Sequence, residues 1–532
     1  MKMKKLVSIG LTLAMTVAAL SACGGQNNQT ASSEAASQTV AASETTSEEA
    51  LKEIVFPLEE TMQFSALALV PQEKYPLAEN TAWNALLERG NIEVELTEIP
   101  SAEAKEKGNL IMAGGNYPDF LFKMSSLDLD KYGQDGLLIP LEDLIRDYAP
   151  NLTALLDEMD AWEDITAPDG HIYSLPTFNQ PQHYGTSWIA WINTKWLENI
   201  GKDMPTTNEE LYEVLKAFKE QDANGNGDPD DEVPFSFNAR GYQTLLSYMG
   251  DALQYYWTYA AVKNGECVFY PRTQGYYDFL AEMRKWYEEG LIYENSFTQT
   301  VDQEKALGKS GDTVGMFLLN TPKSFVSTDY WADYKQLMPF DPENFALSSG
   351  IAKRAFAITD RCENPEVLIS WIDYLYSEEG GMLVRCGVEG DTLIWNKDDT
   401  FTLVRDKYEN TAQWVLTGSG NVPCFTPEIY YTKANVEEDP VAGIVNASYA
   451  EDGLFRIGTV LKNLQYTEEE EERRQVLAAD IPGYVNNYSA EVITGKKSLK
   501  DTWEEFQQTM EKMGVVELEN IYKAAYERAY AE

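Results

Sequence analysis

The chain has 532 residues, 44% hydrophobic and 12% aromatic. That is material for more than one packed core, and it excludes a globally disordered chain. Its 86 acidic against 42 basic residues give a formal charge of −44 and argue against a nucleic-acid partner, whose phosphates Lys and Arg would have to neutralise. Only two histidines, His171 and His183, are present, which leaves little room for a histidine metal site or a catalytic triad.

Lys2, Lys4 and Lys5 precede an apolar run over 6–20. Its fifteen residues fall short of the roughly 20 that a membrane span needs, and fit a secretory signal. The run ends in Leu20-Ser21-Ala22-Cys23-Gly24, which resembles the bacterial lipobox. The resemblance implies cleavage before Cys23 and a diacylglycerol on its sulfur; the alternative is an ordinary signal with an incidental cysteine. Losing 1–22 removes three lysines and takes the charge from −44 to −47, so the expected anchor is lipid rather than electrostatic. Residues 23–51 read as the lipidated cysteine and a Ser/Thr/Ala/Gln/Glu tether. Its r.m.s. reach is roughly 25–30 Å. The expected location is the extracytoplasmic face of the cell membrane.

The folded body starts with a strand at 54–69. An amphipathic helix at 80–90 has Gly90 as its C-cap, and 92–96 alternates with a strand's period of two. A helix at 102–113 and a short strand at 119–122 complete a β-α-β-α-β order, which predicts a mostly parallel sheet. Thr207 caps a helix at 208–221. Further helices are predicted at 276–289, 365–377, 468–478 and from 499 to the end. Strands at 187–193, 233–237, 313–318 and 355–359 separate them, and Pro234 suggests an edge position for the second. The fold class is α/β with two lobes, and ligands are expected in the crevice where strands end. Cys267, Cys362, Cys386 and Cys424 show no CxxC pair, so they read as free or structural, not as a zinc site.

The segment 222–232 matches the first half of an EF-hand loop: Asp222, Asn224 and Asn226 at alternate positions, then Gly227. Calcium takes about six to eight oxygens, and alternate side chains in a tight loop supply them. The Asp228 carbonyl would follow. Val233 stands where the closing Glu belongs, so closure falls to Asp231 and Glu232. The bland reading is a solvated acidic turn; the sharper one is a structural Ca2+ site.

The lipobox, the tether and this loop together resemble extracellular solute-binding lipoproteins of ABC importers, in particular large aldouronate- and alginate-type sugar binders (family 1). Ordered stretches along the body carry the same likeness: Asn109-Leu-Ile-Met-Ala-Gly-Gly-Asn-Tyr-Pro-Asp119, Asp169-Gly-His-Ile-Tyr-Ser-Leu-Pro176, Ile192-Asn-Thr-Lys-Trp-Leu197 and Ile521-Tyr-Lys-Ala-Ala-Tyr-Glu-Arg528. The resemblance covers about 52–530. It implies a two-lobed periplasmic-binding-protein fold, type II-like, with hinge crossovers. Lobe 1 would hold 52–175 and 355–400, and lobe 2 would hold 176–354 and 401–532 with the calcium loop. It also implies a monomer that delivers a carbohydrate to ABC permease subunits, with no nucleic acid and no catalysis.

Twelve tryptophans and 31 tyrosines suit sugar faces, while amides and carboxylates suit hydroxyls. Loops after predicted strands offer Tyr184, Trp188, Asn238, Arg240, Asn320 and Trp395; Tyr256 and Trp257 form an aromatic cluster. Each aromatic has core packing as its alternative, and Arg240 a structural ion pair. A secreted glycoside hydrolase would need two carboxylates about 5–10 Å apart. With 86 acids such a pair is unavoidable by count and is no evidence. A peptide binder of the same shape is the other alternative.

Overall fold

The computed structural model describes residues 52–70, 74–179, 189–228, 230–238, 241–255, 258–319, 321–347, 349–417, 421–448, 450, 453 and 458–531. The signal, Cys23 and the tether lie outside them.

The first sheet grows around Met62–Val70. Ala66, Leu67 and Ala68 are fully buried there, the mark of a strand covered on both faces. Ile92–Pro100 and Phe120–Phe122 flank it in parallel. The helix Thr81–Gly90 joins the first two strands, and its end passes to Asn91, at φ +53°, rather than to Gly90. Asparagine tolerates the left-handed conformation that this cap requires. The sheet continues from Phe120–Phe122 through Ile351–Ile358 and Leu175–Asn179 to Phe425–Thr426. Ile351–Ile358 runs antiparallel to both neighbours. Beneath the sheet Trp83 packs on Phe122 and Trp371, and the Trp371 indole donates to the Leu86 carbonyl at 2.9 Å.

The second sheet has the order Tyr334–Gln336, Ile189–Asn193, Val314–Leu319, Val233–Ser236. Pro234 therefore sits on an edge strand, where its missing N–H costs nothing. Thr207 caps the helix Asn208–Glu220, whose Leu211, Val214, Leu215 and Phe218 are spaced to bury one stripe on this sheet. Phe218 meets Trp196 edge-on and fills the space where a Cβ at Gly315 would lie.

Three helices finish the second core: Glu468–Ile493, Leu499–Lys512 and Val515–Ala529. The helix expected at 468–478 runs on through Pro482 because Ile481, Val485 and Val492 extend its buried stripe. The single helix expected from 499 is two, divided at Gly514 with φ +95°.

Each half is assembled from separated stretches of chain. Packing shifts the expected lobe edges. Leu175–Asn179 and all of Ile351–Ile358 pair in the first sheet. Residues 401–426, assigned by sequence to the second lobe, give Leu416, Val422 and Cys424 to the first core, and Phe425 pairs with Phe178. The chain thus passes to the second half after Asn179, returns before Ile351, and leaves again after Thr426. Just before the second passage, Ala346 and Leu347 pair in parallel with Thr459 and Val460. The fold is α/β and two-lobed. Cys267, Cys362, Cys386 and Cys424 are free thiols.

Asn80 ties a helix start to a distant segment. Its buried side chain accepts from the Trp83 amide and donates to the Ala412 and Val415 carbonyls at 2.8 and 2.9 Å. Asn80→Ala removes a cap and leaves buried carbonyls unpaired, so urea unfolding should show a loss of about 2–4 kcal/mol.

Candidate ligand site between the two halves

Buried polar groups gather where the strands end. Lys123 directly follows Phe120–Phe122, and its Nζ donates to the Leu416 carbonyl at 2.8 Å. Burial pushes this amine down to about 8. Asn179 closes its strand, and its Oδ1 accepts from Arg385 Nη2 at 3.0 Å, while Arg385 Nε donates to Thr426 Oγ1 at 2.9 Å. On the second sheet, Asn238 follows Val233–Ser236 and donates to Glu304 Oε2 at 2.7 Å. Gln299 Nε2 donates to Ser236 Oγ and the Phe237 carbonyl. Burial raises the Glu304 carboxyl to about 7, against the pull of Asn238 and Lys305. Its Oε1 is buried without a hydrogen-bond partner.

A cavity of about 970 Å³ lies between the halves. Asp128, Asp130, Thr166, Lys353 and Arg354 line it from the first half, and Asn463, Gln465, Tyr466, Glu471, Arg474 and Gln475 from the second. Arg354 Nη2 reaches Asp128 Oδ1 at 3.1 Å and Asp130 Oδ2 at 3.2 Å. Contacts that cross between the halves include Gln475 Nε2 to Asp128 Oδ2 and Gln465 Nε2 to the Glu163 carbonyl, each at 3.4 Å. Lys353 Nζ donates to the Thr166 carbonyl at 3.1 Å, and desolvation lowers its pKa. Such a chamber binds by hydrogen bonds to carboxylates and amides.

Of the residues read from sequence, Asn238 follows its strand, buried and held by Glu304, and is not among the residues that line the interlobe cavity. Trp395 does not line the interlobe cavity. It lies on a small hairpin, edge-on to Phe401, and faces a separate cavity of about 430 Å³ with Arg89, Tyr374 and Leu383. Tyr184, Trp188, Arg240, Tyr256, Trp257 and Asn320 lie outside the described residues. Sequence reading missed Lys123, Arg354, Arg385 and the 463–475 stretch. Gln475 meets Asp128 from 347 positions away, and no local pattern encodes that pairing.

The 222–232 loop folds as an acidic turn closed by its own side chains. Gly225 and Gly227 take φ of +75° and +95°. Asn224 Oδ1 accepts from the Asn226 amide at 2.9 Å, and Asn226 Oδ1 from the Asp228 amide at 2.7 Å. Asp231 takes the amide groups of both Asn224 and Asn226. Among the described residues no three His, Cys, Asp or Glu side chains are grouped to hold a metal. Asp222 Oδ1 and Glu232 Oε2 are nevertheless buried with no hydrogen-bond partner. Two unpaired carboxylate oxygens from opposite ends of the loop fit a hard, oxygen-seeking cation in their chemistry.

Residues 74–382 match the family described as bacterial extracellular solute-binding protein. The chain belongs to that family. It is 27% identical over 563 aligned residues to the fructooligosaccharide ABC transporter substrate-binding protein FusA of Streptococcus pneumoniae serotype 4 (strain ATCC BAA-334 / TIGR4), covering 100% of this chain and 99% of FusA. It is 30% identical over 240 residues to lipoprotein LipO of Bacillus subtilis (strain 168), covering 44% of this chain and 45% of LipO. The solved FusA–kestose complex superposes with a TM-score of 0.70 at 24% identity, over 88% of this chain and 99% of that one. A FusA EF-hand mutant bound to fructo-nystose gives 0.71 at 24% identity and the same coverage. An HMO-binding solute-binding protein from Bifidobacterium longum infantis ATCC 15697 gives 0.74 at 20% identity, over 88% and 99%. FusA is named a substrate-binding protein and the Bifidobacterium protein a solute-binding protein. No helix among the described residues is long and apolar enough to cross a membrane.

Glu304 yields a test of this polar edge. Its folded pKa is raised from 4.5 to about 7, so the unfolded chain gives up this proton first and stability falls as pH rises across that window. Glu304→Gln should remove a penalty on the order of 3 kcal/mol. Thermal melts should show the variant gaining on the parent at pH 8 and not at pH 4.

Proposed function

We propose that the protein is a lipid-anchored receptor on the extracytoplasmic face of the membrane. It captures an oligosaccharide between its halves and passes it unaltered to an ABC permease. The observation that carries this reading is a hydrogen-bonding chamber with walls from both halves, in a chain alignable end to end with FusA. Hinged closure over the solute would bring the outer surfaces of both halves into the geometry a permease recognises. Cys23 would carry the lipid, and 24–51 the tether. Asn238 would touch the sugar, as would Tyr184, Trp188, Arg240, Tyr256, Trp257 and Asn320 from the adjoining stretches. Trp395 would serve only as a subsite outside the main chamber. The protein would act as a monomer and cut nothing.

The test is titration of tryptophan fluorescence with tri- to pentasaccharides, followed by mass spectrometry of the sugar. The expected outcome is saturable quenching with the sugar recovered intact. Shortened products would convert the reading to a hydrolase, and a response to peptides alone would convert it to a peptide binder.

The EF-hand of FusA supports a structural Ca2+ at 222–232. Asp222, Asn224, Asn226, Asp231 and Glu232 would hold it with the Asp228 carbonyl, and the ion would supply positive charge to offset the buried carboxylate oxygens. Calcium at about 100 times its Kd should raise unfolding free energy by about 2.7 kcal/mol. Calorimetry with and without chelator checks this; equal melting temperatures would remove the ion.

A further inference from the structure

The cavity between the halves also speaks to the charge of its solute. We infer that this solute is an uncharged saccharide, because the guanidinium groups around the chamber are already paired with the protein's own carboxylates. This inference rests on the carbohydrate reading above and narrows it.

Arg354 is shared between Asp128 and Asp130 at 3.1 and 3.2 Å. Arg474 makes two contacts of 2.7 Å with Glu471. Arg528 engages Glu470 at 2.9 Å and also the Gln465 carbonyl. Lys353 is hydrogen-bonded to the Thr166 carbonyl at 3.1 Å. Lys131, at the exposed rim, has Asp135 at 3.9 Å.

A uronate carboxylate entering here would meet guanidinium groups whose charge is already offset by resident carboxylates, and it would sit beside those like charges in a partly desolvated chamber, so little net attraction is gained. Glu468 and Glu472 also face the cavity, with no basic partner among the described residues. They add to the repulsion, as does the overall charge of −44. A neutral sugar meets the opposite balance. Ionised carboxylates accept only, and each oxygen has lone pairs beyond those its arginine uses. Sugar hydroxyls donate to them without breaking any pair, while the amides of Asn463, Gln465 and Gln475 both donate and accept.

The test is isothermal titration of the purified full chain with neutral kestose and nystose, and with tri- and tetragalacturonate as acidic counterparts. The inference expects the neutral sugars to bind at least about tenfold more tightly than the acidic ones. Equal or tighter binding of the galacturonates would overturn it and leave the carbohydrate reading standing. Heat from peptides and from neither sugar class would overturn that reading itself. Asp128→Asn with Asp130→Asn frees Arg354, and the acidic-to-neutral affinity ratio should then rise by about tenfold. An unchanged ratio in a variant that melts normally would contradict the role given to this pairing. Should the variant not fold, the parent titration alone decides.

Discussion

Everything in this fold depends on how the chain crosses between its halves. Just before the second passage, the chain is bonded to a later stretch of the second half by a very short parallel ladder. The Thr459 amide donates to the Phe345 carbonyl at 2.8 Å, and the Leu461 amide to the Leu347 carbonyl at 3.1 Å. Asn463 Nδ2 reaches Ser349 Oγ just beyond, at 3.3 Å. Three passages prevent the halves from separating. Each half has its own hydrophobic core. The chamber lies beside the second passage: Lys353 and Arg354 are only a few residues past it, and Asn463 to Gln475 follow the strand of the ladder.

The same arrangement explains which parts were legible in the sequence. Local elements were readable because local rules fix them. Thr207 accepts from the Glu210 amide as a cap should, Pro234 marks an edge, and the spacing of Leu211, Leu215 and Phe218 marks a buried stripe. The third crossing was misplaced because Phe425 finds its partner Phe178 far away in sequence, and a two-residue strand carries no periodicity of its own. The helix predicted to end at 478 runs on through Pro482, because a buried stripe on both sides of it outweighs the lost hydrogen bond.

The site was legible in kind more than in detail. Asn238 was placed after its strand because the sequence shows that strand plainly. Arg385 was missed, since an arginine near the end of an amphipathic helix reads as a solvated cation; here it is turned inward to Asn179 and Thr426. Lys123 is hidden for a similar reason, its partner being a carbonyl 293 positions away. Buried amines, guanidinia and amides at strand ends are costly unless paired, and each of these is. They tie the strand ends of the first sheet to the segments packed against them.

The most direct test of this account is a crystal structure of the protein grown with a neutral tri- or tetrasaccharide. The account predicts the intact sugar between the Ile351–Ile358 strand and the start of the Glu468–Ile493 helix, with both halves touching it. A sugar held by one half alone, such as in the Trp395 cavity, with the space between the halves closed to it, would contradict it.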